Sequence, residues 1–293
     1  MPEALSSAPR APAFFLAEDA SVADPRLRDE DAEHALRVLR LAKGDALDGL
    51  DGRGRRVPLR IARVQKGRVV LEAAGPVEET PEPGQEGSSL PWFELAVSWP
   101  RRNRVEDMVG RLVQLGAAAI RPLACRQRGP EEPPQKVSER LRRGVREACK
   151  QSGRWWLPVL EDCLTPAELG EARSTSPLAV LDPRAALSLD TWLRSLRPSP
   201  LGVGTRARPI VLVIGPEGGL TTAEHEALEA RGASRVWIGP HILRVETAAE
   251  AAMAVAGVVH GRGDFQRGVA SSTHPSESER AREDRAPGPI PRG

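Results

Sequence analysis

A chain of 293 residues is long enough for two domains of ordinary size, and an apolar share of 40% is enough to build a core. A formal net charge of +2 announces no polyanionic partner for the chain as a whole, and no apolar run approaches the roughly 20 residues needed to cross a bilayer. Three cysteines, Cys125, Cys149 and Cys163, form no C-x-x-C pair; with no secretory leader in view, they point to reduced thiols in the cytoplasm and away from a metal site.

Residues 1–12 are rich in Pro, Ala and Ser and are expected to be loose. Residues 13–77 read as a small β-barrel-like module with one helix. Phe14 to Leu16 is a strand, Asp29 to Leu39 a short helix, Asp51-Gly52-Arg53-Gly54 a hairpin turn, and Val57 to Val64 and Arg68 to Glu72 alternate as strands. Residues 78–91, Pro-, Gly-, Glu- and Ser-rich, read as a linker.

From 92 to 262 strands and helices alternate, which predicts an α/β domain with a mostly parallel sheet covered on both faces. Strands are expected at Phe93–Trp99, Ala119–Leu123, Leu178–Leu181, Ile210–Ile214 and Arg235–Ile238. Helices are expected at Val105–Leu115, Lys136–Gln151, Thr222–Ala230 and Glu246–His260, with a Pro/Arg-rich loop before Ile210 and a capping box in Thr221-x-x-Glu224. Residues 263–293 are too polar to offset their ordering entropy and read as a disordered tail.

Two segments carry the chemistry. Ile214-Gly215-Pro216-Glu217-Gly218-Gly219 and Ile238-Gly239-Pro240-His241-Ile242-Leu243-Arg244-Val245-Glu246-Thr247 each follow a buried strand, about 24 residues apart. Glycine lets a main chain approach a ligand, and two such exits suit a site at the carboxyl edge of a sheet. Neither is a phosphate-binding P-loop or a dinucleotide fingerprint. Plain structural turns would use the same residues. Ile242 and Leu243 are apolar within a turn, so a flat apolar ligand or ordinary packing should cover them. The Arg-rich stretch from Arg101 to Arg154 offers phosphate contacts in Arg121, Arg126, Arg128, Arg142, Arg143, Arg146 and Arg154. A solvated helix face would look the same.

Together the two loops resemble the SPOUT methyltransferases, and more narrowly the ribosomal small-subunit methyltransferase E family. Phe14-Phe15 with His34 and Val38-Leu39-Arg40, the stretch Arg111 to Leu123, and Glu147-Ala148-Cys149-Lys150-Gln151-Ser152-Gly153-Arg154 resemble further motifs of that family, so the likeness spans 13–260. It implies a C-terminal α/β trefoil knot, a PUA-like RNA-binding β-barrel, a homodimer, and S-adenosyl-L-methionine as cofactor. The implied reaction is methylation of N3 of one uridine in 16S rRNA of the small ribosomal subunit. The cofactor would meet Ile214, Gly215, Pro216, Glu217, Gly218, Ile238, Gly239, Ile242, Leu243, Arg244 and Thr247. Arg244 would supply a cation to the base, and Glu217 or Glu246 would accept its proton. The sulfonium needs no metal. The chain departs from the family at Arg111, Gln114, His241 and Val245, where Lys, Glu, Arg and Thr are usual, and lacks the usual K-G-D between Arg101 and Arg104. Two other readings stand beside this one: a knotted methyltransferase acting on a ribose 2′-hydroxyl, and a ribosome-assembly protein without catalysis.

Overall fold

In Ile210-Val211-Leu212-Val213-Ile214 every residue is apolar, as a strand covered on both faces requires. In the computed structural model this strand lies inside a parallel sheet. The structure describes residues 11–261 except 22, 66–67, 101, 128–137, 198 and 200–201, so the expectations for residues 1–10, Arg128 and the tail lie outside the described residues.

The N-terminal sheet contains β1 (Ala13–Phe15), β2 (Ala46–Leu50), β3 (Arg55–Gln65), β4 (Arg68–Ala73) and β5 (Glu78–Glu79), in the order β1-β2-β3-β4 with β5 also on β3. Its core is Phe14, Leu16, Leu27, Ala35, Leu47, Val57, Leu59 and Ile61. Helix α1 (Asp29–Glu33) runs into a π-helical turn, His34–Val38. The expected linker begins later than its composition implied. Glu78 and Glu79 pair with β3 because Arg56 and Arg55 on that strand bind their carboxylates at 2.5 and 2.8 Å.

The larger sheet is wholly parallel. It holds β6 (Phe93–Val97), β7 (Ala119–Pro122), β8 (Val159–Leu160), β9 (Leu178–Leu181), β10 (Ile210–Ile214) and β11 (Ser234–Val236), in the order β11-β9-β10-β6-β7-β8. Chain order runs outward from β6 through β7 and β8, whereas on the other side β10 enters the sheet between β6 and the earlier strand β9, so the β6/β10 boundary is where the strand order reverses. Alternate side chains face opposite layers. Ile210, Leu212 and Ile214 join one core, with side chains from α2 (Arg102–Gln114), α3 (Glu139–Ser152), α5 (Leu189–Ser195) and α7 (Val245–His260). Val211 and Val213 join the other, with Leu169 of α4 (Pro166–Ala172) and Leu228 of α6 (Thr222–Glu229).

The expected Pro/Arg-rich loop before Ile210 contains α5, capped by the Ser188 hydroxyl accepting from Thr191 N–H. Its buried Leu189, Trp192 and Leu193 give the helical spacing that the surrounding Pro and Arg obscured. The capping box at α6 is present in both directions. Gly153, at φ 71, ends α3 in the left-handed conformation that glycine adopts without cost.

Candidate functional site

The site is assembled at the carboxyl edge of the larger sheet. Ser98 N–H donates to the Ile214 carbonyl at 2.8 Å and closes the β6/β10 boundary. Beyond that bond lie loop 215–221 after β10 and loop 237–244 after β11. Helix α7 starts from the second loop and directs its unbonded N–H groups toward this edge.

The glycines of the two loops do different work. A side chain on Gly215 would press on Leu220 at 3.2 Å, and one on Gly218 would meet Gln127 Oε1 at 2.9 Å. Gly215 therefore makes room for its own loop. Gly239 faces open space, with nothing within 4 Å of a β-carbon built there, and so does Gly219 in the first loop; at both the main chain is open to close approach. Leu243 and Ile238 pack against the core, whereas Ile242 is 84% exposed. Of the two turn aliphatics, Ile242 is thus the one left for a ligand or partner to cover.

Arg104, on the first turns of α2, joins the two loops and was missed in the sequence because its partners lie more than a hundred residues away. Its guanidinium donates to Glu246 Oε1 at 2.5 Å and lies 3.8 Å from Glu217. Both carboxylates singled out in the sequence therefore meet at one arginine. Burial pushes the Glu246 carboxyl up, but its own backbone N–H, Arg104 and Arg244 outweigh that and hold it below the ordinary 4.5. Glu246 is an anion at neutral pH. Its Oε2 is buried and has no hydrogen-bond partner among the described residues; the same is true of Ser98 Oγ and Trp99 Nε1, immediately after β6. An unpartnered buried acceptor is costly unless a ligand completes it. Arg244, at the N-cap of α7, is exposed, makes no capping bond with its side chain, and faces solvent beside Glu246; Thr247 is exposed one turn on.

The expected phosphate contacts separate into two groups. Arg121 is 5% exposed and is committed to Glu94 at 2.7 Å, Glu161 at 3.1 Å and the Asp162 carbonyl, so its assignment is corrected to a buried structural ion. Arg154 is corrected likewise: it donates to the carbonyls of Val113 and Ala117 at 2.7 and 2.9 Å and closes the end of α2. Arg146 is held by Glu139 and Glu30 with only 11% of its side chain exposed. Arg126, Arg142 and Arg143 stay at the surface, and Arg126 N–H donates to Glu224 beside the first loop. Two of the departures from the family motifs are paired, Arg111 with Glu250 at 3.0 Å and Gln114 with Gln151 at 3.3 Å. Among the described residues no group of three or more His, Cys, Asp or Glu could hold a metal ion, and no helix is long and apolar enough to cross a membrane.

Comparison with known proteins gives the family. Residues 88–257 match the family model described as an RNA methyltransferase domain, and residues 27–73 match an RNA methyltransferase PUA domain. The ribosomal RNA small subunit methyltransferase E of Synechocystis sp. is 32% identical over 219 residues, covering 74% of this chain and 67% of that protein. The Bacillus subtilis protein of the same name is 25% identical over 75% of this chain and 84% of its own length. The structure of the same enzyme from Neisseria gonorrhoeae, bound to S-adenosyl methionine, superposes with a TM-score of 0.67 at 25% identity, covering 85% of this chain and 98% of that one. With both family models matched in order and well over half of the chain covered, this chain belongs to the ribosomal RNA small subunit methyltransferase E family.

Proposed function

We propose that this protein transfers the methyl group of S-adenosyl-L-methionine to N3 of a uridine in 16S rRNA. The observation that carries this reading is the half-buried, ionised Glu246, with one oxygen on Arg104 and the other buried and unpartnered, beside two loops whose main chain is open at Gly219 and Gly239. In this reading the loops are those of a trefoil knot. Main-chain atoms of Ile214, Gly215, Ile238 and Gly239 hold the cofactor, and Ile242 covers its adenine. The cofactor supplies an electrophilic methyl on sulfonium, so no metal is required.

The protein's own residues manage charge and the proton. Glu246 Oε2 accepts the N3–H of the uracil, and that proton passes to the carboxylate as the N3–methyl bond forms. Arg244 meets a carbonyl of the base and stabilises the negative charge that develops on the ring. Glu217, 58% exposed, acts through Arg104 and holds the first loop against α2. The protein works as a cytoplasmic homodimer on rRNA or on the small subunit.

The test is transfer of labelled methyl from S-adenosyl-L-methionine to small-subunit rRNA, followed by nucleoside analysis. The expected product is 3-methyluridine. Label on a ribose hydroxyl would replace the uracil reading with 2′-O methylation. A folded protein with no affinity for the cofactor would leave only a binding role in ribosome assembly.

A further inference from the structure

The amino edge of the larger sheet, opposite the two loops, holds a cation that the fold leaves without a counter-charge. Arg28, Arg56, Arg104, Arg121, Arg146 and Arg173 are the other arginines that the fold covers in part or in full among the described residues, and each pairs with a carboxylate. Arg154 is partly covered too, yet no carboxylate pairs with it among the described residues. Its Nη1 donates to the Val113 and Ala117 carbonyls, whereas Nε and Nη2 make no hydrogen bond among the described residues and are not sealed from solvent. A cation taken from water without a counter-charge is costly, and burial pulls the Arg154 pKa down. The neighbouring Cys149 thiol, pushed up to about 11 by burial, is neutral at physiological pH and supplies no negative charge.

Beside Arg154 lies a cavity of about 120 Å³, whose lining includes Arg53, Glu82, Trp92, Trp156 and Arg206. Separate stretches of chain meet there because the residues after α3 pair with the N-terminal module. Leu157 N–H donates to the Gly52 carbonyl at 3.0 Å and Gly54 N–H to the Trp155 carbonyl at 3.3 Å, which sets Arg53 against Trp156. Trp156 Nε1 donates to the Thr80 carbonyl at 2.9 Å and ties in the segment that carries Glu82. Arg206 arrives from the loop before β10 and lies over the Trp92 ring, 5.2 Å from its centroid. That ring face is therefore taken, and the charges set the character of the cavity: three guanidiniums against one carboxylate. Glu82 is already committed, one oxygen to Arg206 at 3.2 Å and the other to Gln85 Nε2 at 3.2 Å. Arg53 is exposed and enters no ion pair among the described residues, and Arg206 keeps 64% of its side chain exposed. Guanidinium forks match the geometry of oxyanions. The volume is well below the roughly 300 Å³ at which sites for drug-sized ligands begin, so it suits a phosphate group and not a whole nucleotide.

We infer that this cavity, at the joint of the N-terminal module and the parallel sheet, binds a phosphate group between Arg53, Arg154 and Arg206. The bound anion gives Arg154 its counter-charge and bridges the two modules. The site lies at the opposite edge of the sheet from the methyl-transfer loops and stands whether or not they methylate uracil.

The experiment is calorimetric titration of the full chain with inorganic phosphate, in chloride at constant ionic strength, beside melting curves and S-adenosyl-L-methionine titration. One phosphate per chain should bind with a millimolar or tighter dissociation constant. At ten times that concentration the melting temperature should rise by about 3 °C over chloride alone. Arg53→Gln alters an exposed side chain, so in chloride it should melt like wild type, but it should bind phosphate roughly tenfold more weakly. Glu82→Gln should bind phosphate several-fold more tightly, because it removes the one carboxylate of the lining and releases Arg206 to the anion. Cofactor affinity should be unchanged in both. A folded wild type that binds cofactor and no phosphate overturns the inference. So does phosphate affinity unchanged in both variants, which places the ion elsewhere, or a change of the same sign in both, which makes the cluster structural. Transcribed small-subunit rRNA, titrated against wild type and Arg53→Gln, tells the source of the phosphate group. Equal rRNA affinity assigns the cavity to free phosphate. A roughly tenfold loss that matches the loss for phosphate, with a salt slope shallower by about one, assigns it to a backbone phosphate of the RNA.

Discussion

The two edges of the parallel sheet use the same residue types to opposite ends. At the amino edge, Arg154 donates to two carbonyls, Trp156 Nε1 donates to the Thr80 carbonyl at 2.9 Å, and Arg206 lies over the Trp92 ring and pairs with Glu82. At the carboxyl edge, Trp99 Nε1, Ser98 Oγ and Glu246 Oε2 are buried without partners, and Arg244 projects into solvent. Burying a polar atom unpaired costs free energy wherever it occurs, and three such atoms gathered at the carboxyl edge suit that edge to a ligand. Arginine and tryptophan content alone could not have distinguished the edges.

The comparison breaks most sharply at Glu246. Glu246→Gln keeps the shape and an oxygen for Arg104, but its other terminal atom becomes a donor and can no longer accept N3–H. Turnover should fall by about 10²–10³ while the melting temperature moves little. Methyl-transfer rates on small-subunit rRNA, beside a melting curve, measure both. Unchanged turnover would make the unpartnered oxygen a packing defect and remove Glu246 from the chemistry.

Arg121→Leu should show the reverse split. Glu94 is fully buried and would keep only Arg173, so the variant should lose about 3 kcal/mol of stability and melt roughly 10 °C lower. Its affinity for rRNA per folded molecule should be unchanged, because the guanidinium never reaches solvent. Loss of RNA affinity in a stably folded Arg121→Leu protein would return Arg121 to the list of phosphate contacts.

These residues also mark what a sequence can and cannot convey. The strands at Ile210–Ile214 and Leu178–Leu181, the capping box at Thr221 and both glycine loops were legible, because their signals are local: apolar runs, turn residues and a three-residue spacing. Helix α5 was hidden by Pro and Arg on both sides of a seven-residue element. The arginines were the hardest to read. Arg121, Arg146 and Arg142 look alike in sequence, yet one is buried on Glu94, one is held by Glu30 and Glu139, and one is exposed. The difference is made by carboxylates from distant segments, and no spacing rule reaches them. Arg104 escaped for the same reason. Gly215 and Gly239 show the matching limit for glycine, since only the neighbours tell whether the missing β-carbon makes room for the protein or for a ligand.

Gly239→Val tests that distinction. Its side chain would enter open space, so the fold should tolerate it, while cofactor affinity should fall by at least tenfold, about 1.4 kcal/mol or more. Calorimetric titration with S-adenosyl-L-methionine measures this, and full affinity would move the cofactor away from the second loop.

The smallest expected effect is the most specific. Arg104 is one of the groups that hold the Glu246 carboxyl below 4.5, together with its own backbone N–H and Arg244, against the burial that pushes it up. In Arg104→Gln the Glu246 pKa should rise. In the proposed step the carboxylate acts in its ionised form, so the acid limb of the pH–rate profile should move to higher pH, with Arg104→Lys in between and rates at neutral pH changed only severalfold. The linked stability follows the same sign. A carboxyl whose folded pKa is depressed contributes stability above its ordinary value, and that contribution is lost as pH falls through the folded one. Arg104→Gln narrows that window, so its excess loss of melting temperature should appear at neutral pH and shrink toward wild type in acid. A uniform drop in rate at every pH, with the acid limb unmoved, would reduce Arg104 to a strut between the two loops and leave the ionisation of Glu246 to its own backbone N–H and Arg244.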